Sequence, residues 1–156
     1  PAAGGGMALA LAADVRIGTP EARFNVAFVR IGLSGGDIGV SHLLPRVVGL
    51  GVASELLLTG RQVGAEEALR IGLLNRVCER ERLLDEAAEL AGEIARNSPF
   101  AVRMTKQVLH RNVDAPSLEA AIELENRTQV LATRTEDMKE ALAAFVERRE
   151  PRFTGR

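Results

Sequence analysis

A single cysteine, Cys78, occurs in the 156 residues, which excludes an internal disulfide and any multi-cysteine metal site. That scarcity fits a reducing cytoplasm, and Cys78 itself reads as a small buried hydrophobe on a strand. A surplus of one charge sign is also missing, because 20 Lys and Arg stand against 21 Asp and Glu. Neither nucleic acid nor an anionic membrane is therefore expected as the main partner. Long apolar runs are absent too: Asp14 and Arg16 cut off MALALAA well short of the roughly 18 residues of a membrane span. Without a charged leader, the same stretch does not read as a signal peptide. The spacing of His, Cys, Asp and Glu suggests no metal ligand set, no Ser/His or Cys/His nucleophile pair can be assembled, and no internal repeat or sustained heptad is visible. What remains is 46% hydrophobic and 26% charged residues, the composition of an ordinary globular chain whose ligands are small molecules.

Glycine is where the information lies. Gly4 to Gly6 stand before the small-residue stretch MALALAA, so backbone amides at a helix start are left uncovered by side chains. Such amides, with the helix dipole behind them, suit a phosphate or the oxyanion that forms on a reacting carbonyl. The alternative is a tight turn with close helix packing. A second glycine loop, Gly32 to Gly36, leads to Asp37, which takes the position of a helix N-cap or first-turn carboxylate.

Around these loops the pattern predicts a helix over 6–13, short strands over 14–18 and 22–25, and a loop or helical turn over 26–31. Helices over 38–48, 52–59 and 65–71 and a strand over 73–78 should follow. The remainder reads as helices over 81–97, 99–112, 117–133 and 135–148, broken at Ser98-Pro99 and Pro116-Ser117. Their apolar faces, such as Met138, Leu142 and Phe145, need a cover.

The runs GGGMALALAADVRI, ARFNVAFVRIGLSGGDIG and LPRVVGLGVASELLLTGRQVGAEEALRIGLLNRV, then SPFAVRMTK and the PRFTGR tail, together resemble the enoyl-CoA hydratase/isomerase (crotonase) superfamily from Pro1 onward. The resemblance implies an α/β fold: a crotonase-like (ClpP/crotonase) spiral core over 1–97, without its N-terminal part, followed by a helical region over 98–156 used for trimerisation. It implies a homo-oligomer, trimer or hexamer, and a cytoplasmic protein acting on an acyl-CoA, with coenzyme A part of the substrate and no separate cofactor. Compared with that family the chain starts late, since the block carrying the first oxyanion donor is expected before Pro1.

Residue by residue, the resemblance makes Gly5 the amide donor to a thioester enolate, with Gly4, Phe28 and Gly36 beside the substrate. The two glutamates of the family's hydratases fall on Ala8 and Phe28, neither of which can move a proton. Asp37 resembles, with a one-residue shift, the aspartate of dienoyl-CoA isomerases, and could act as a base at the α or γ carbon. Phe153 would cover the adenine of coenzyme A or else pin the tail, with Arg148, Arg149 and Arg152 making that tail basic. His42 reads as an ordinary surface histidine. His110, beside Arg103, Lys106 and Arg111, reads as solvated or as a phosphate contact. Three readings stay open: a hydratase/isomerase-type enzyme working by enolate stabilisation, a silent homologue that binds acyl-CoA or builds an oligomer, and an inactive fragment.

Overall fold

Gly4, with φ of 52°, ends the first strand and starts the first helix, a change of direction that a side chain would resist. The computed structural model describes residues 1–156, and its contacts divide the chain into two units, 1–88 and 89–156. In the first, β1 (Ala2–Ala3) leads into α1 (Gly5–Ala12), then β2 (Ile17–Gly18), β3 (Arg23–Asn25) and a 3-10 turn over Ala27–Ile31. The glycine loop carries the chain to α2 (Val40–Val48), α3 (Leu50–Thr59), β4 (Val63–Gly64), α4 (Ala65–Arg70) and β5 (Arg76–Val77). A 3-10 turn at Arg80–Arg82 precedes α5 (Leu83–Ala95), along which the division between the units falls.

The strands are short and form two small sheets. β3 is central in one, parallel to β1 with Ala2 opposite Phe24, and antiparallel to β4 with Phe24 opposite Val63. The other pairs β2 with β5 in parallel, Ile17 opposite Arg76. Arg16 fastens this second pairing: its backbone N–H donates to Asn75 Oδ1 at 2.8 Å and its side-chain Nε to the Leu73 carbonyl at 2.7 Å. The strand expected over 73–78 therefore contributes only two ladder residues, because Leu73 and Leu74 are buried in the core instead.

Helical spacing decides which residues fill that core. Met7 and Leu11 of α1, Val40 and Leu44 of α2, and Ala53 and Leu56 of α3 recur at three or four positions and point the same way. Gly49, with φ of 81°, is at once the end of α2 and the start of α3. The N-cap expected at Asp37 is not there. α2 starts at Val40 with Gly39 as its cap, because both Ile38 and Gly39 adopt left-handed backbone conformations, φ 51° and 80°, which push the helix start past the carboxylate.

The second unit is helical: α6 (Pro99–Asn112), α7 (Leu118–Ala132) and α8 (Glu136–Glu147) follow α5. Each starts on a hydroxyl cap, Ser98, Ser117 and Thr135 accepting from Ala101 N, Ala120 N and Met138 N. Behind α8 the tail runs back along the helix. Arg149 makes a two-pronged bond to Glu140, whose Oε1 also accepts from Arg152 N at 2.8 Å. Asp137, only 2% exposed, accepts from the Ser98 hydroxyl at 2.6 Å and from the amides of Thr154 and Gly155 at 2.7 and 3.1 Å. The Arg156 carbonyl takes the N–H groups of Glu136 and Asp137. Within this unit Leu109, Leu118, Val130, Leu131, Phe145 and Val146 remain exposed, Phe145 by 84%. No helix in the chain is long and apolar enough to cross a membrane.

Candidate active site

The glycine turn at the head of α1 is anchored on β3. Gly4 donates its N–H to the Asn25 carbonyl at 3.1 Å, and its own carbonyl accepts from Met7 and Ala8 at 3.0 and 3.2 Å. Gly5 is the first residue of α1, so its N–H has no partner within the helix, and it lies exposed. Such a donor, with the helix dipole behind it, can hold a developing oxyanion.

Two apolar side chains close on this turn. A Cβ at Gly4 would lie 3.3 Å from Phe28 Cζ, and one at Gly5 would lie 3.7 Å from Ile38 Cδ1. Phe28 comes from the 3-10 turn, which is braced from below: at Gly60, φ 60°, a Cβ would meet Val29 Cγ2 at 3.1 Å. The next residue, Arg61, holds that corner by bonding Glu55 at 2.7 Å and Glu67 at 2.9 and 2.7 Å. Those carboxylates, Glu67 first, hold the Arg61 guanidinium above its usual pKa, while Arg61 holds the Glu67 carboxyl below its own.

Ile38 comes from the glycine loop, at the corner after Asp37. Its φ of 51° is a strained conformation for a β-branched residue. Asp37 is exposed; its Oδ1 accepts from Ile38 N at 2.9 Å and its carbonyl from Val40 N at 3.0 Å. The carboxylate is thus bonded to the backbone of the residue whose Cδ1 lies 3.7 Å from where a Cβ on Gly5 would stand. Gly36 spends its N–H on Ser34 Oγ at 3.1 Å. Its neighbour Gly35 is a glycine for a packing reason, since a Cβ there would lie 3.2 Å from the Leu57 carbonyl oxygen.

Ala8, 7% exposed, belongs to the core, and Phe28 is half-buried against it. Neither provides a titratable group. His42 is exposed on α2 and His110 on α6; the latter lines a shallow cleft with Arg103, Lys106 and Arg111. Phe153 belongs to the second unit, where it lines a depression with Ala95, Arg96, Pro99 and Pro151. No group of three or more His, Cys, Asp or Glu side chains is arranged to hold a metal ion.

A sequence model of enoyl-CoA hydratase/isomerase matches residues 1–156. The chain belongs to the enoyl-CoA hydratase/isomerase family. Among its relatives are a probable enoyl-CoA hydratase of Mycobacterium tuberculosis, 44% identical over 99% of this chain and 54% of that protein, and the 1,2-epoxyphenylacetyl-CoA isomerase of Escherichia coli, 38% identical over 99% of this chain and 58% of that protein. The crystal structure of an enoyl-CoA hydratase from Bacillus anthracis superposes with a TM-score of 0.95 at 35% identity, covering 99% of this chain and 59% of that one. The chain therefore has the α/β fold of this family, and it spans little more than half the length of these relatives.

At the glycine turn stand the apolar side chains of Phe28 and Ile38, the latter following the exposed carboxylate of Asp37. Phe28 and Asp37 were legible from the motifs. The approach of Ile38 to the turn was not visible, because it depends on a backbone angle, φ 51°, that no sequence pattern encodes. Asp137 was missed as well; Thr135-Glu136-Asp137 reads as a helix start, and nothing in it signals a buried carboxylate bonded to Ser98, 39 residues away.

Proposed function

We propose that the protein acts on an acyl-CoA thioester by stabilising its enolate, with the Gly5 N–H at the developing oxyanion and Asp37 moving the proton, in an isomerase-type reaction. The observation that supports this most is the uncovered Gly5 amide at the start of α1, with Ile38 Cδ1 3.7 Å from where a Cβ on Gly5 would stand and the backbone N–H of the same Ile38 held by the Asp37 carboxylate. A proton taken from the acyl chain by the Asp37 carboxylate and returned one or more carbons away leaves the thioester intact and needs no water. Addition of water calls for a second group to orient it. Ala8 and Phe28, at the places of the family's two glutamates, cannot serve.

Crotonyl-CoA hydration should accordingly run about 10²–10⁴-fold slower than in a two-glutamate enzyme, while an enoyl- or dienoyl-CoA is isomerised. Following both reactions on a panel of thioesters, with the chain alone and with the family's N-terminal block fused ahead of it, tests the proposal. Rapid hydration that survives loss of Asp37 would overturn the assignment of roles. Binding without turnover of any thioester in either form would favour the second reading, a silent acyl-CoA-binding homologue, for which the apolar Ala8 and Phe28 speak.

The exposed apolar residues of α6, α7 and α8 support self-association as a trimer or hexamer through the second unit. Light scattering should give a mass of at least three chains at micromolar concentration. A monomer persisting across a hundredfold range, on the order of 1–100 μM, would count against it.

A further inference from the structure

Nothing in the proposed chemistry uses the basic side chains of α6. Arg103, Lys106 and His110 recur along the helix at intervals of three and four residues, with Arg111 beside the last, so they share one side of it. All of them line one cleft, of about 670 Å³. Its carbon surface comes from Met104, Val108 and Leu124, half-buried where the basic side chains are exposed. No carboxylate lines the cleft, and α6 itself contains none. In a chain whose net charge is −1, this concentration of one sign is local. The two carboxylates that flank Leu124 on α7 have other partners, Glu123 bonding Arg127 and Glu125 bonding Asn112. Arg103 is steadied over the Phe100 ring, 5.6 Å from its centroid.

We infer that this cleft binds an organic phosphate of nucleotide size, its phosphate groups among Arg103, Lys106 and Arg111 and its remaining body against Met104, Val108 and Leu124. Guanidinium groups meet phosphate oxygens two at a time, and a phosphate ester, with a charge of about −1.5 to −2, answers several cations better than one carboxylate does. The volume falls within the roughly 300–1,000 Å³ of small-molecule sites. Bare phosphate would leave the carbon surface in water, whereas a neutral ring would leave the cations unanswered. The inference does not rest on the acyl-CoA reading, because every residue in it belongs to the second unit.

Calorimetric titration of the full chain with adenosine 5′-diphosphate should give a Kd at or below about 1 mM. Pyrophosphate should bind about tenfold more weakly despite its charge, and adenosine more weakly still. Arg103→Gln combined with Arg111→Gln should weaken the nucleotide about tenfold and leave the circular dichroism unchanged, since Gln and Arg suit a helix almost equally. Arg70→Gln combined with Arg134→Gln removes the same charge from exposed positions outside the cleft and should cost less than about threefold. Coenzyme A, built on the same adenosine diphosphate, identifies the source of the phosphate. An affinity for it that falls with the cleft pair makes the coenzyme an occupant, and one that does not fall assigns the cleft to free nucleotides. Absence of nucleotide binding, pyrophosphate or adenosine bound as tightly as the nucleotide, or equal losses in the two double variants would overturn the site while leaving the roles of Gly5 and Asp37 untouched.

Discussion

Asp37→Asn should lower the rate of acyl-CoA isomerisation by about 10²–10⁴-fold with little change in thioester affinity. Asparagine keeps the local geometry, because its side-chain oxygen can still accept the Ile38 N–H that Asp37 Oδ1 takes at 2.9 Å. It removes the negative charge and with it the ability to take up a proton. A fall in kcat at nearly constant KM is therefore the expected signature of a group used at the transition state. Single-turnover kinetics on a 3-enoyl- or dienoyl-CoA measures it directly, and proton exchange at the acyl α-carbon should be lost in parallel. Full turnover by the variant would remove Asp37 from the mechanism.

Asp137→Ala should release the C-terminal tail. The wild-type carboxylate accepts the Ser98 hydroxyl and the amides of Thr154 and Gly155 from a position only 2% exposed, so its loss leaves three donors without their partner. Hydrogen exchange at Thr154 and Gly155 should accelerate on the order of 10²-fold, and trypsin should cut after Arg149 and Arg152. Acid should produce the same release without mutation. The Ser98 hydroxyl, with the amides of Thr154 and Gly155, outweighs burial and holds the Asp137 carboxyl below its ordinary value. Glu140 is brought down to about 2 by Arg149 and the Arg152 amide. Depressed carboxyls stabilise the tail fully above their unfolded values of about 4. The effect fades as pH falls through the folded values, so the tail should loosen between about pH 4 and pH 2. A tail that stays protected across that range would show that these carboxylates do not hold it.

The helices were legible because their signals are local. Ser98-Pro99 marks the break at which α6 starts, and the helix read from 135 begins one residue later with the Thr135 hydroxyl as its cap. The glycine turn at Gly4 was legible for the same reason, since a left-handed corner needs glycine there. Strand lengths were not. Leu73 and Leu74 have the look of a strand, but the demand of the core takes them out of the ladder. Asp37 fails as a cap because Ile38 behind it adopts a conformation that sequence statistics for a β-branched residue argue against. Of the candidate site, Gly5, Phe28 and Asp37 could be named from motifs; the approach of Ile38 to the turn needed coordinates. The bonds of Arg61 to Glu55 and Glu67, and of Asp137 to Ser98 and the tail, join separate segments, and charge pattern alone does not pair them.

The pairing of β2 with β5 bears on how the first unit folds. Arg16 and Asn75, 59 residues apart, meet across a ladder that encloses α1's successors through α4, so this closure carries a large loop-entropy cost before it returns any contact. The helices between can form and dock first. On that view the clasp closes after the rate-limiting barrier. Arg16→Ala should then accelerate unfolding several-fold and leave the refolding rate nearly unchanged. Stopped-flow measurement of both limbs would decide; an equal slowing of refolding would place the clasp inside the nucleus, and β2 and β5 would have to find each other before the helices between them settle.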